Sequence, residues 1–188
     1  MDFLFQTWEE TSNDLMMMAS QIKELPERPN LIIAIARGGL VPARLLSDFL
    51  SLPVASYTVS SYGDLKQKKE EQMFFGVGGR LDGKHVLLVD DVSDTGMTFT
   101  RAKEYLIKLG AGKITTTAIF SKPCSILPPD VFARETDAWI IFPFDLFENL
   151  LKIRKRWREE GVKEALIFQR FGKMKIPHTY LKRLLLEP

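Results

Sequence analysis

Short, nearly unbroken apolar runs alternate along this chain with stretches whose apolar positions recur every three or four residues. "LIIAIA" (31–36), "PVASYTV" (53–59), "HVLLVD" (85–90), "KITTTAIF" (113–120) and "TDAWIIF" (136–142) read as strands. The near-continuous apolarity of the first and third suits strands covered on both faces. Between them lie helical patterns. "TWEETSNDLMMMASQIKELPERP" reads as a helix capped by Thr7, favoured by Glu9 and Glu10 in its first turn and ended by Pro26. Leu15, Met18, Ile22 and Leu25 share its apolar face, and Met16 to Met18 read as core filler. "VPARLLSDFL" and "MTFTRAKEYLIKLGA" are two further helices, the second closed by Gly110. The polar, lysine-rich stretch from Ser60 to Gln72 reads as a long mobile loop. Strand–helix alternation predicts an α/β fold with a mostly parallel, twisted sheet flanked by helices.

The pattern changes at Asp145. "DLFENLLKIRKRWREEG", "VKEALIFQRFG" and "PHTYLKRLLLE" are amphipathic and helical. Charge changes as well. Residues 1–149 carry 15 Lys+Arg against 20 Asp+Glu, whereas residues 150–188 carry 11 against 4, so net −5 gives way to net +7. The expected organisation is an acidic domain over 1–148 followed by a basic α-helical C-terminal extension over 149–188. A solvated helix face or a dimer contact accounts for the basic segment most simply, and contact with nucleic acid is the alternative. Apolar Phe142, Phe144 and Phe147 beside it suggest an interface between copies.

Composition narrows the chemistry. The 188 residues suffice for one domain with a core and a small appendage. No apolar run is long enough for a membrane span, and Asp2 stands where an export signal would carry positive charge. Cys124 is the single cysteine, and His85 and His178 are the only histidines. That excludes an internal disulfide and a cysteine or histidine metal cluster. The expected location is cytoplasmic.

"VLLVDDVSDTGMT", Val86 to Thr98, carries the strongest chemical signal. In an open parallel sheet, ligands bind beyond the carboxyl ends of the strands. Asp90 and Asp91 emerge there from an apolar strand. Adjacent carboxylates are costly unless a cation or hydroxyl groups share them, and a ribose diol with Mg²⁺ fits. Ser93, Thr95 and Thr98 offer hydroxyls, Gly96 permits close backbone approach, and the following helix start is suited to phosphate. Sugar and phosphate recognition in one loop matches a ribose 5-phosphate.

This 13-residue segment resembles the signature of type I phosphoribosyltransferases, which binds 5-phosphoribosyl-1-diphosphate (PRPP). The resemblance implies that Asp90, Asp91, Ser93, Asp94, Thr95, Gly96, Met97 and Thr98 hold the ribose and its phosphate. It implies that Asp91, with Asp90, holds Mg²⁺, and that Asp94 is the general base near N7 of a purine. "AIARGGLVPARLL" resembles the pyrophosphate loop of the purine branch, implying roles for Ala36, Arg37, Gly38 and Gly39, with a cis peptide between Ala36 and Arg37. "SSYGD" resembles the start of the closing loop, which would bring Ser61 and Tyr62 over the diphosphate. "FSKP" and "DAWIIFPFD" resemble the xanthine-guanine group of that branch. There Lys122 would donate to a purine 6-oxo group, Trp139 would stack on the base, and backbone atoms of Ile140 would meet its 2-position.

The implied reaction joins PRPP to guanine, hypoxanthine or xanthine, giving a nucleoside 5′-monophosphate and pyrophosphate in purine salvage. A homo-oligomer, dimer or tetramer, is implied with it. A PRPP-sensing regulator that binds nucleic acid, and a transferase for adenine or another base, are the alternatives. "GGRLDGKH" imitates a phosphate-binding P-loop, but His85 replaces the required Ser or Thr and the segment precedes a strand. Lys84 is therefore expected in solvent, and His85 is read as a solvated or satisfied side chain.

Overall fold

The computed structural model describes residues 2–60, 72–174 and 176–187. In chain order the elements are β1 (Phe3–Phe5), α1 (Trp8–Lys23), β2 (Leu31–Ala36), α2 (Leu40–Leu50), β3 (Val54–Ser60), β4 (Gln72–Phe75) and β5 (His85–Ser93). There follow α3 (Met97–Lys108), β6 (Lys113–Ser121), β7 (Val131–Glu135), β8 (Trp139–Ile141), α4 (Leu146–Glu159), α5 (Glu164–Lys173) and α6 (His178–Leu185). Contacts divide the chain into two units, Trp8–Ala138 and Met1–Thr7 with Trp139–Pro188. The change in charge at 149 and this division in packing fall at different positions.

The larger unit is built on a sheet whose described strands run β4-β3-β2-β5-β6-β7. All neighbours are parallel except β3 and β4, which are antiparallel. From β2 the chain moves outward to β3 through α2, then returns to lay β5 on the other side of β2. The carboxyl ends of β2 and β5 thus meet at a topological switch point, where open α/β sheets place ligands. Ile33, Ile35, Val86 and Leu88 share one core cluster with Phe99, Ala102 and Leu106 of α3. Ile32, Ala34, Leu87 and Val89 alternate with them and are also fully buried, so the other face is covered as well. Helix α2 packs on β2 and β5, and α1 packs on α2 and β7.

Several expectations shift. Met18 is fully buried, but Met16 and Met17 are 53% and 43% exposed. Three consecutive residues of a helix turn through most of its circumference, so they cannot all face one core. Strand β5 runs three residues beyond the predicted Asp90 and stays in register with β6 to Ser93↔Ser121. The acidic pair therefore lies within the strand. Three short strands, β1, β4 and β7, lacked a readable pattern. His85 is buried rather than solvated; its Nε2 lies 2.8 Å from the Thr115 hydroxyl, but its buried Nδ1 has no hydrogen-bond partner among the described residues, so the ring is satisfied on one side only. Lys84 is exposed, as expected.

In the smaller unit, β1 pairs in parallel with β8. Ile141, Leu146, Leu150, Ile153 and Trp157 form a core with Ile167 and Phe171 of α5 and Leu184 of α6. Buried Arg154 ties the three helices. Its guanidinium donates to Glu164 Oε1 at 2.6 Å and to the carbonyls of Leu184 and Glu187 at 2.9 and 3.0 Å. Phe142 is buried and stacks on Phe144, while Phe147 packs against this core. The three phenylalanines thus pack within the unit, with Phe144 and Phe147 half-buried. Among the described residues, no helix is long and apolar enough to cross a membrane.

Candidate active site

Strand β5 changes character because its last residues must leave the apolar core. Val86 to Val89 are fully buried, and Asp90 to Val92 are half-buried. The Asp90 carboxylate accepts from the Asp91 N–H at 3.0 Å, and the Asp91 carboxylate accepts from the Val92 N–H at 2.8 Å. Burial pushes the Asp91 carboxyl above the ordinary carboxylate value, opposed by hydrogen bonds from Val92 and Asp90. An anion penalised in this way gains from a cation or hydroxyl donors nearby.

The turn into α3 follows from Gly96, whose φ of 82° lies in the left-handed region. A Cβ there would also stand 2.7 Å from the Leu127 backbone nitrogen. A pocket at this turn is lined by Asp90, Ser93, Asp94, Thr95, Gly96 and Thr98, among others. The amino end of α3 opens on it, bringing N–H groups and a partial positive charge. Asp94 and Thr95 are exposed, Met97 is 38% exposed, and Thr98 is half-buried. Ser93 lines the pocket, and its side chain is engaged within the protein. It is 2% exposed, and its hydroxyl meets Ser125 Oγ at 2.9 Å and the Leu127 carbonyl at 3.3 Å. Its side chain braces the 125–127 segment against the turn.

The pyrophosphate-loop motif lies beside the acidic one. The peptide between Ala36 and Arg37 is cis, as the resemblance implied. Arg37 is exposed, and α2 begins directly after Gly39. Both glycines lie where a side chain would be crowded, Gly39 by backbone and Gly38 by the Asp91 side chain. A Cβ on Gly38 would lie 2.5 Å from both Asp91 carboxylate oxygens, and one on Gly39 would collide with the Val89 and Ile35 carbonyls. Two motifs about fifty residues apart therefore meet backbone to carboxylate. Ser61 and Tyr62 lie outside the described residues.

Lys122, Trp139 and Ile140 belong to different units and are described separately. Lys122 follows β6 in the larger unit. Its N–H donates to the Ser93 carbonyl at 2.9 Å, which places it at the end of β5, within the acidic motif. Its ammonium donates to the Ala138 carbonyl, leaving further protons on the same nitrogen for a ligand. Trp139 opens β8 in the smaller unit. Its N–H donates to the Asp2 carbonyl at 2.8 Å, and its indole N–H donates to Asn149 Oδ1 at 2.8 Å. Gln6 N–H donates to the Ile141 carbonyl. Alternate residues of a parallel strand address opposite edges, so the Ile140 N–H and C=O face away from β1. The Ile140 side chain is buried. Asn149, and the bracing of the turn by Ser125 and Leu127, escaped sequence reading because no local pattern marks them. Cys124 is exposed, its sulfur 3.8 Å from the Asp94 carbonyl.

Comparison with known proteins agrees with this geometry. The family model described as phosphoribosyl transferase domain matches residues 5–148. Xanthine-guanine phosphoribosyltransferase of Idiomarina loihiensis is 36% identical over 146 residues, covering 76% of this chain and 86% of that one. The enzyme of the same name from Nitratidesulfovibrio vulgaris is 33% identical over 142 residues, covering 74% and 82%. The crystal structure of purine phosphoribosyltransferase from Pyrococcus horikoshii superposes with a TM-score of 0.70 at 35% identity, covering 77% of this chain and 94% of that one.

Proposed function

Because this chain belongs to the phosphoribosyl transferase domain family, we propose that it transfers the 5-phosphoribosyl group of PRPP to a 6-oxopurine in purine salvage. The products are the nucleoside 5′-monophosphate and pyrophosphate. The observation that carries this reading is the meeting of Gly38 with the Asp91 carboxylate, beside the pocket at the start of α3. On this reading the segments proposed to hold the diphosphate, the sugar and the 5-phosphate lie close together.

In this reading, backbone N–H groups around Ala36, Arg37, Gly38 and Gly39 hold the diphosphate, with charge from Arg37. Asp90 and Asp91 accept the ribose hydroxyls, and the loop from Asp94 to Thr98 with the α3 terminus binds the 5-phosphate. Breaking the C1–O bond builds positive charge on the ribose ring. Asp94 takes the proton from the purine nitrogen, a role contributing roughly 10²–10⁴-fold. Lys122 donates to the 6-oxo group, Trp139 stacks on the base, and the Ile140 backbone meets the 2-position. Each role is assigned from that residue's own match to the family motif. A lysine only donates, so it favours an oxo group over an amino group. Ser61 and Tyr62 belong to the segment proposed to close over the diphosphate and exclude water.

Mg²⁺ is part of the proposal. Among the described residues, no three His, Cys, Asp or Glu side chains converge as a metal cage. Mg²⁺ commonly takes one or two protein carboxylates and completes its shell with phosphates and water, so Asp91 with Asp90 suits it. When bound, it would neutralise charge on the departing diphosphate. A cytoplasmic, homo-oligomeric enzyme completes the reading, with the subunit number left to experiment. The nucleic-acid alternative has less support, since Lys152, Arg156, Arg158 and Arg183 are each paired with a glutamate.

The test is direct. Purified protein is given PRPP, Mg²⁺ and, in turn, guanine, hypoxanthine, xanthine, adenine and uracil, and pyrophosphate release is measured. Turnover with one or more 6-oxopurines and little with adenine is expected. Turnover with adenine or uracil alone, or with none of the five, sinks the reading.

A further inference from the structure

Trp139 is held by a residue just beyond the 5–148 segment that matches the family. Its indole N–H donates to Asn149 Oδ1 at 2.8 Å. Asn149 sits in the first turn of α4 and is 4% exposed. An indole only donates, so the amide oxygen must face it and the amide nitrogen must point away. That nitrogen donates to the Asp145 carbonyl at 3.2 Å, and the Asp145 carboxylate accepts from the Phe142 N–H at 2.9 Å. The amide orientation is thus set from both ends. The Trp139 backbone is set independently, by its N–H bond to Asp2 and by pairing with Phe3 in β1. Half-buried, the ring packs on the core shared by Ile141, Leu150 and the helices α4–α6.

We infer that Asn149 is a positioning residue for purine binding: by accepting from the indole N–H, it locks the ring plane of Trp139 before the base arrives. The inference rests on the reading of Trp139 as the base-stacking ring. Stacking depends on the relative orientation of two planes. A ring free to turn about its side-chain bonds loses that freedom on binding, whereas a ring already fixed does not. The basic C-terminal segment then has a task in the reaction itself. Its first helix supplies the acceptor, and the ring packs against the core formed with α5 and α6.

The test uses the full chain and steady-state kinetics with PRPP and the best 6-oxopurine. Asn149→Leu removes the acceptor at similar volume, and Asn149→Ala serves where leucine does not fold. Loss of one such bond predicts a roughly 2- to 12-fold rise in purine KM, with PRPP KM and kcat within about twofold of the parent. In a Trp139→Phe background, which has no indole N–H, Asn149→Ala should add nothing further. The Trp139 indole proton resonance, assigned by its loss in Trp139→Phe, should shift in Asn149→Leu and Asn149→Ala. Equal rises in both KM values, or full additivity with Trp139→Phe, would overturn the inference while leaving the stacking role of Trp139 intact. If Trp139→Ala itself leaves purine KM unchanged, the stacking role falls and the inference falls with it.

Discussion

Gly38 and Asp91 show how one atom can decide a site. A methyl group at position 38 would lie 2.5 Å from both Asp91 carboxylate oxygens, so either the loop or the acid must move. Gly38→Ala should therefore cost about 1–3 kcal/mol of local strain. The expected result is a roughly 5- to 150-fold rise in PRPP KM with little change in purine KM, read from initial rates. Asp94 offers a cleaner separation of binding from chemistry. Its side chain is exposed beside the pocket, so Asp94→Asn should fold normally and keep PRPP affinity by calorimetric titration. Its kcat should fall by about 10²–10⁴, and an unchanged kcat would remove Asp94 from the mechanism. Lys122→Ala should weaken 6-oxopurines selectively. Competition between guanine and adenine measures this, and equal losses on both would refute the contact. The acids and Gly96 of the 86–98 segment could be read as a candidate site from local chemistry, whereas Gly38, Gly39 and Lys122 were assigned only through the family resemblance. The Asn149 bond was not legible, since an asparagine in a helical pattern has many other uses and its partner lies ten positions away.

Elements carry a different kind of information. The long buried strands β2, β5 and β6 and the helices α1–α3 could be read from apolar periodicity, because a core on one or both faces imposes it. Strands β1, β4 and β7 could not. Each is three to five residues long, too short to show a period, and β1 finds its partner β8 some 136 positions along the chain. The exposed Met16 and Met17 carry the same lesson in reverse, since composition alone made them look like core. In the C-terminal helices, Arg154 was read only as part of a basic run, yet it is 6% exposed and joins α4, α5 and α6. Arg154→Met keeps the bulk but removes the donors to Glu164 and to the Leu184 and Glu187 carbonyls, of which Leu184 keeps the Glu187 N–H, at about 1–3 kcal/mol. Hydrogen exchange should quicken in α5 and α6, and an unchanged pattern would show the tie to be dispensable.

For the whole molecule, the uneven charge matters through its pairing. Glu164 bridges Arg158 and Arg154, and hydrogen bonds first from Arg158 and then from Arg154 hold its carboxyl below the ordinary glutamate value. The unfolded chain then binds that proton more readily than the folded one. The stabilising contribution is fully present above the ordinary value and is lost as pH falls through the lower folded one. Thermal unfolding followed across that acid range should show the contribution fading, and Glu164→Gln should flatten the dependence. The α/β class, the parallel sheet, the PRPP motif and the family were all set by short-range pattern, because burial and phosphate recognition act within a few residues. The juxtaposition of Gly38 with Asp91, the bracing of Ser93 by Ser125 and Leu127, and the hold of Asn149 on Trp139 came only from folding in three dimensions. Each is a contact between distant segments, and nothing in the local spacing of either partner records which other segment will arrive beside it.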